Sequence, residues 1–297
     1  MKRRDFIKTS ALATPLWNTH FKLPTQLDVH FFATNWGFEG DIDSFCQKVK
    51  SEGYDGIEVW LPKADKRKAL LDASQKYELQ LGYLIAGSGN QPKAHYATFK
   101  QHLDEALAIT SQQPTYINCH SGRDFFRFEE NTPLIEYTQT KMAQSGVEIF
   151  HETHRGRMCF AAHITRNFLE RYPEMKLTLD ISHWTNVHES MLANQAETVD
   201  LALQRVGHIH ARVGHPQGPQ VNDPRAPEWA AILQQHLDWW DKALQYRAAA
   251  GAKRMTILTE FGPPTYLQTL PYTHQPVANQ WEINVFMMKL LKERYTG

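Results

Sequence analysis

One pattern constrains the fold of this chain more than any other. From Leu27 onward, short runs rich in β-branched and aromatic residues alternate with longer amphipathic segments. The short runs predict strands at 27–32, 56–60, 79–86, 115–119, 147–152, 176–180, 207–212 and 255–260. Helices are predicted at 41–50, 64–77, 95–110, 132–145, 161–172, 189–205, 227–250 and 280–295. Acidic residues open the first of these, which suits a helix N-terminus. Pro227 stands where a first helical position tolerates proline. Strict alternation points to a parallel sheet with helical crossovers, and eight strands is the number that closes a barrel. The rival, an open doubly wound sheet, favours a Gly-x-Gly-x-x-Gly loop after the first strand. Ala33-Thr34-Asn35-Trp36-Gly37 stands there instead. The expectation is an α/β chain folded as a (β/α)8 TIM barrel, with residues 27–297 as one domain.

A length of 297 residues suits such a barrel. Cys46, Cys119 and Cys159 lack Cys-x-x-Cys spacing, so neither a disulfide framework nor a cysteine zinc site is implied. The formal net charge of +0 argues against nucleic acid as a partner, because phosphate-tracking proteins carry a basic face. No stretch approaches the roughly 20 apolar residues that span a bilayer, so no membrane partner is expected. The N-terminus reads Lys2-Arg3-Arg4-Asp5-Phe6-Ile7-Lys8, followed by a mildly apolar stretch. The paired arginines predict a twin-arginine export signal over residues 1–26 and a periplasmic location, against the plainer reading of a basic tail.

The active site of a barrel of this kind lies at the C-terminal ends of its strands. Four consecutive strand ends carry His151-Glu152-Thr153-His154, Asp180-Ile181-Ser182-His183, His208-Ile209-His210-Ala211-Arg212 and Glu260-Phe261-Gly262. Side chains alternate along a strand, so His208 and His210 share a face, with His210 nearer the mouth. Glu152, Asp180, His210 and Glu260 form an oxygen-rich set with one imidazole. Such a set suits one divalent ion: Mn²⁺ first, with Mg²⁺, Co²⁺, Fe²⁺ or Zn²⁺ as alternatives. Three carboxylates packed without a cation would repel one another. Singly, each residue has a plainer explanation; Asp180, for example, can cap the helix that follows it. The four in order are harder to assign to chance.

These motifs resemble the sugar phosphate isomerase/epimerase family with its xylose-isomerase-like barrel, which includes the ketose 3-epimerases. The resemblance runs from about Leu27 to the C-terminus. It rests on Glu152, Asp180-x-x-His183, His208-x-His210 and Glu260. It implies Glu152, Asp180, His210 and Glu260 as metal ligands and His183 as a contact to a substrate oxygen. There is one departure. The family's epimerases carry an arginine several residues after the strand-seven histidine, whereas Arg212 follows His210 at two. Arg212, His215 and Arg225 all stand as candidates for that role.

A metal ion on the carbonyl of a keto sugar acidifies the adjacent C–H and stabilises the enediolate that forms. Glu152 and Glu260 are the candidate catalytic pair that removes and returns the proton. The same chemistry permits isomerisation, epimerisation or elimination, the last for instance from a 3-keto-glycoside. Substrate contacts are expected from His183, Arg212, His120, His154, Trp36 and Glu58, with Trp60, Arg123, Trp184 and Trp229 also near predicted strand ends. Residues 214–225 form the longest irregular stretch and are expected to fold over the site as a lid, offering His215, Asn222 and Arg225 to sugar hydroxyls. The expected partner is a small sugar without phosphate, since no phosphate-gripping glycine motif follows strands seven and eight; a homo-oligomer is left open. Two rivals come from other classes. A metal endonuclease for damaged DNA shares the Asp-x-x-His turn but needs histidines on early strands, and strand three ends Tyr83-Leu84-Ile85-Ala86-Gly87. A non-catalytic sugar-binding barrel would have no need of all four ligands.

Overall fold

Eight strands pair in chain order, each parallel to the next, and the last returns to the first to close a barrel. They are β1 (Asp28–Thr34), β2 (Gly56–Trp60), β3 (Gln80–Ala86), β4 (Tyr116–His120), β5 (Glu148–Glu152), β6 (Leu177–Leu179), β7 (Val206–Ala211) and β8 (Arg254–Thr259). The outer ring comprises α1 (Ile42–Glu52), α2 (Ala64–Lys76), α3 (Pro92–Leu107), α4 (Phe128–Ser145), α5 (Ala162–Arg171), α6 (Ile181–Val187), α7 (Ala196–Leu203), α8 (Ala230–Ala249) and α9 (Gln280–Thr296). This computed structural model describes Phe21 and residues 27–296. Apart from Phe21, the export-signal reading over residues 1–26 lies outside the described residues. Among the described residues no helix is long and apolar enough to cross a membrane.

The expected TIM barrel is therefore present, with local differences. The helix predicted over 189–205 is two shorter pieces. They are a short 3-10 turn at Ala193–Gln195 and α7, and the helix starts late because Glu189 and Leu192 adopt left-handed backbone angles (φ 46° and 61°) that a continuous helix cannot contain. The helix predicted from 132 begins at Phe128, where the Glu130 carboxylate accepts the Arg127 N–H at 2.8 Å.

Two separate apolar clusters stabilise the fold. The larger lies between sheet and helices and includes Phe45, Phe99, Phe168, Trp184 and Trp240. The smaller fills the lower barrel with Phe32, Tyr116, Phe150 and Leu258. Three glycines make room for its rings. A Cβ on Gly56, Gly82 or Gly207 would lie 2.5, 2.5 or 2.2 Å from Phe32, Tyr116 or Phe150. Aromatic residues on three strands thus face glycines on three others, and this layer is the floor on which the polar end of the barrel rests.

Candidate metal centre

β5 ends on Glu152, β7 carries His208 and His210, and Glu260 follows β8 directly. Asp180 is both cap and site residue. One carboxylate oxygen accepts from Ser182 N at 3.1 Å and Ser182 Oγ at 2.5 Å, and the other meets Arg212 Nη2. The structure brings Glu152, Asp180, His210 and Glu260 together, one potential ligand atom from each lying within 4.8 Å of the others. His210 Nδ1 sits 2.9 Å from Glu260 Oε2 and 3.8 Å from Glu152 Oε1.

The surrounding residues orient this set. Asn118 Nδ2 donates to Glu152 Oε2 at 2.7 Å, and His120 Nε2 lies 3.0 Å from the same oxygen. Glu152 Oε1 is buried and has no hydrogen-bond partner. A buried carboxylate with one oxygen held and the other orphaned costs free energy unless a cation or proton reaches it. Below, Glu58 reaches up from β2, its two oxygens each 3.2 Å from a histidine: Oε1 from His210 Nε2, Oε2 from His208 Nε2. His210 thus turns Nδ1 to the ligand set and Nε2 to Glu58. Holding the second ring nitrogen on a carboxylate is how metal-binding imidazoles are usually oriented.

Electrostatics fit a cation at this point. Glu58, Glu152, Asp180 and Glu260 crowd together, with Arg212 as their one guanidinium contact among the described residues. Burial pushes the Asp180 carboxyl up to about 6; Arg212 opposes this, while Glu260 and Glu152 add to it. Burial also opposes ionisation of Glu152, but His120 and His210 outweigh it and hold the carboxyl well below the usual range. His210 shows the reverse: burial disfavours its charge, yet Glu260, Glu152 and Glu58 raise it well above an ordinary histidine. The carboxylates that raise His210 favour positive charge at this point, which a divalent ion would supply. The orphaned Glu152 oxygen and the mixed donor set fit a divalent ion.

Above the ligand set opens a cavity of about 160 Å³, lined by Trp36, Glu58, Trp60, His120, His154, Arg212, Glu260 and Tyr266 among others. Of the expected substrate contacts, His120, His154, Arg212, Trp36 and Glu58 line it. Glu58 has a second role the sequence reading missed, since it also underpins both histidines of β7. His183 does not line the cavity. It is fully buried, with Nε2 2.8 Å from Arg212 Nη2 and its ring tilted against that of His154, centroids 4.0 Å apart.

The residues of the expected lid stand away from this cavity. His215, Asn222 and Arg225 are absent from the cavity wall. His215 forms a tight bridge with Gly218 and packs on Trp229. Asn222 Oδ1 accepts from Trp229 Nε1 at 2.7 Å, and Arg225 pairs with Asp223. The wall comes from Tyr266 in the loop after β8, whose ring lies 4.8 Å from the Arg212 guanidinium and 4.9 Å from Trp36. Nothing in the sequence distinguished Tyr266 from other loop aromatics. Asn118 had a signal, its parity with His120 on β4. Trp184 packs in the core, donating to Cys159 O.

Comparison with models of known protein families matched none, and comparison with curated proteins matched none. Solved structures do match. A probable 3-DHS dehydratase, AsbF, involved in petrobactin synthesis in Bacillus anthracis, aligns over 89% of this chain and 98% of its own at 14% identity, TM-score 0.58. An AP endonuclease of family 2 from Brucella melitensis aligns over 88% and 98% at 12% identity, TM-score 0.55. A xylose isomerase-like TIM barrel/4-hydroxyphenylpyruvate dioxygenase fusion protein aligns over 90% of this chain and 43% of its own at 10% identity, TM-score 0.55. The fold is that of the xylose-isomerase-like TIM barrels.

Proposed function

We propose that this chain is a divalent-metal-dependent enzyme that moves a proton next to the carbonyl of a small keto sugar, as an isomerase or epimerase does. The observation that carries this reading is the convergence of Glu152, Asp180, His210 and Glu260 beneath a small cavity. These four residues would hold one ion, Mn²⁺ first among the candidates. Once bound, it would polarise the substrate carbonyl and stabilise the charge that develops there. Glu260 faces the cavity and accepts the substrate proton. Glu152, with Oε2 fixed by Asn118 and His120 and Oε1 left for the ion, is the second carboxylate of the pair and would return a proton only from its protonated form. Arg212, held by Asp180 and Ser182, directs a fixed positive charge at substrate hydroxyls. A cavity of about 160 Å³ is smaller than the roughly 300–1,000 Å³ of pockets for drug-sized ligands, and suits a monosaccharide.

A second reading, elimination of a leaving group from the same substrate, draws support from the description of one structural neighbour as a probable dehydratase. We also propose residues 27–297 as one domain behind a twin-arginine export signal.

Calorimetry and metal analysis test the centre. About one Mn²⁺ per chain is expected, against about three ions for a trinuclear nuclease site. Asp180→Asn and Glu260→Gln should each weaken metal binding by about 10-fold or more. Turnover in D2O should place deuterium beside the carbonyl, and product analysis separates isomer from elimination product. A wild-type protein that takes up no divalent ion would sink the reading.

A further inference from the structure

Behind His120, which lines the cavity, lie arginines that the proposed reaction does not use. The loop after β4 carries Arg123, and the loop after β5 carries Arg155 and Arg157. The two loops are tied together. Met158 N donates across to Ser121 O at 2.9 Å, while Phe126 N to Arg123 O at 3.2 Å and Arg157 N to His154 O at 3.1 Å each close a turn within one loop. Gly122 makes the turn possible, with φ of 63° and room for no side chain, since a Cβ there would lie 2.0 Å from Asn131.

No carboxylate lies within 4.0 Å of Arg123, Arg155 or Arg157 among the described residues, whereas Arg212, Arg247 and Arg294 each pair with one. Arg123 makes no side-chain hydrogen bond among them. The Nε atoms of Arg123 and Arg157 are both buried without a partner. Arg157 makes one contact, Nη2 to His120 Nδ1 at 3.4 Å, which places its guanidinium one imidazole away from Glu152. Burial and then the charge of Arg123 pull Arg157 below an ordinary guanidinium. Glu152 and Asp124 act on Arg157 only from beyond ion-pair distance, so the two half-buried guanidinium groups have no close anionic partner, and their planar shape suits carboxylate and phosphate.

We propose that Arg123 and Arg157 form an anion subsite on the His120 side of the cavity, and that the substrate is a sugar acid whose carboxylate docks there while its carbonyl end meets the metal centre. This rests on the keto-sugar reading for the second half only; the subsite itself stands on the arginines. The anion would sit against the arginine that contacts His120, and His120 in turn contacts Glu152. Docking of the acid group would therefore set the distance between the reacting carbon and the proton-carrying carboxylate.

The first measurement uses inorganic phosphate as the probe and metal-free wild-type protein, so that it needs neither Mn²⁺ nor turnover. Saturable binding by calorimetry is expected, weakened on the order of 10- to 100-fold in the Arg123→Ala/Arg157→Ala double variant. The Arg123→Lys/Arg157→Lys variant should recover part of it, which separates charge from folding. Absence of saturable binding, or equal binding by wild type and the double alanine variant, overturns the subsite. The second measurement displaces phosphate with D-fructuronate, D-fructose 6-phosphate or D-fructose. Displacement by the uronate but not by neutral fructose supports the sugar acid. Stronger displacement by the 6-phosphate keeps the subsite and overturns the carboxylate. Displacement equal for charged and neutral sugars, or by none of the three, overturns the proposal that this anion site belongs to a sugar acid. Absence of divalent-ion binding in the wild-type protein with phosphate binding intact would end the metal reading alone.

Discussion

The loops after β7 and β8 make an instructive pair. The first, 214–225, is rich in Gln, Asn, Asp and Arg, the side chains that hold sugars elsewhere. Yet it contributes nothing to the cavity wall, because its polar groups are spent on the loop itself and on the protein behind it. Gln220 is buried and brackets Gly262, accepting its N–H at 2.7 Å and donating to its carbonyl at 3.2 Å. Asn222 takes the Trp229 indole N–H. His236 on α8 accepts the Gly214 N–H at 3.2 Å. The second loop has fewer such groups and supplies the wall through Tyr266. Hydrogen-bonding capacity counted by residue type does not say where it is used. The β7 loop acts as a bracket that positions the β8 loop.

The strongest test of this division is Gln220→Ala. It strands two backbone groups of Gly262 in a buried place, two residues from Glu260. We expect a loss of about 2–5 kcal/mol in unfolding free energy by chemical denaturation, accompanied by reduced turnover. A loss under about 1 kcal/mol would show that the bracket is dispensable. Next is Tyr266→Ala, which removes the aromatic face from Arg212 and Arg155 (4.8 and 5.0 Å). Here kcat/KM should fall about 10-fold, with stability changed by about 1 kcal/mol or less, and Tyr266→Phe should restore most of the activity.

The third test is pH. Burial holds His236 down to about 4, while its unfolded value is near 6.5. Its Nδ1–H donates to Ile232 O at 2.9 Å and its Nε2 accepts from Gly214, so the folded ring is neutral. Between about pH 6.5 and 4 the unfolded chain takes up a proton that the folded one does not. Stability is therefore complete above the unfolded value and falls as the pH drops, by at most about 1.4 kcal/mol per pH unit for this one group. Denaturation midpoints of wild type and His236→Gln, compared across that range, should diverge most near neutrality and converge at low pH. A constant difference would remove His236 as the titrating anchor. The smallest effects belong to Asn222→Ala and Arg225→Ala. Each should leave kcat/KM within about 2-fold and stability within about 1 kcal/mol, since the Arg225–Asp223 pair is exposed and local. A large kinetic defect in either would return the β7 loop to the substrate.

The barrel was legible because alternation survives errors of a few residues at every boundary. Strand ends carrying Glu152, Asp180, His210 and Glu260 could be read for the same reason: side-chain parity on a strand is strict, so a residue's face follows from its neighbours. Where the backbone leaves regular geometry the reading lost its footing. Leu192 and Glu189 broke a helix that periodicity had joined, and β6 shortened because Asp180 was needed as a cap. Glu58 was placed near the site by its strand, but its grip on His208 and His210 depends on packing across the barrel, which no local pattern records. Tyr266, in an irregular loop, and Arg157, beyond the end of β5, had no periodicity to locate them.

The aromatic and glycine floor of the barrel has a consequence for traffic. Phe32, Tyr116, Phe150 and Leu258 close the lower end, so the chamber above has no rear exit. Whatever enters past Trp36 and Tyr266 must turn round and leave by the same door. In a space of about 160 Å³ one visitor fills the room. Arrivals and departures therefore take turns, and the two aromatic rings at the threshold stand where that queue forms.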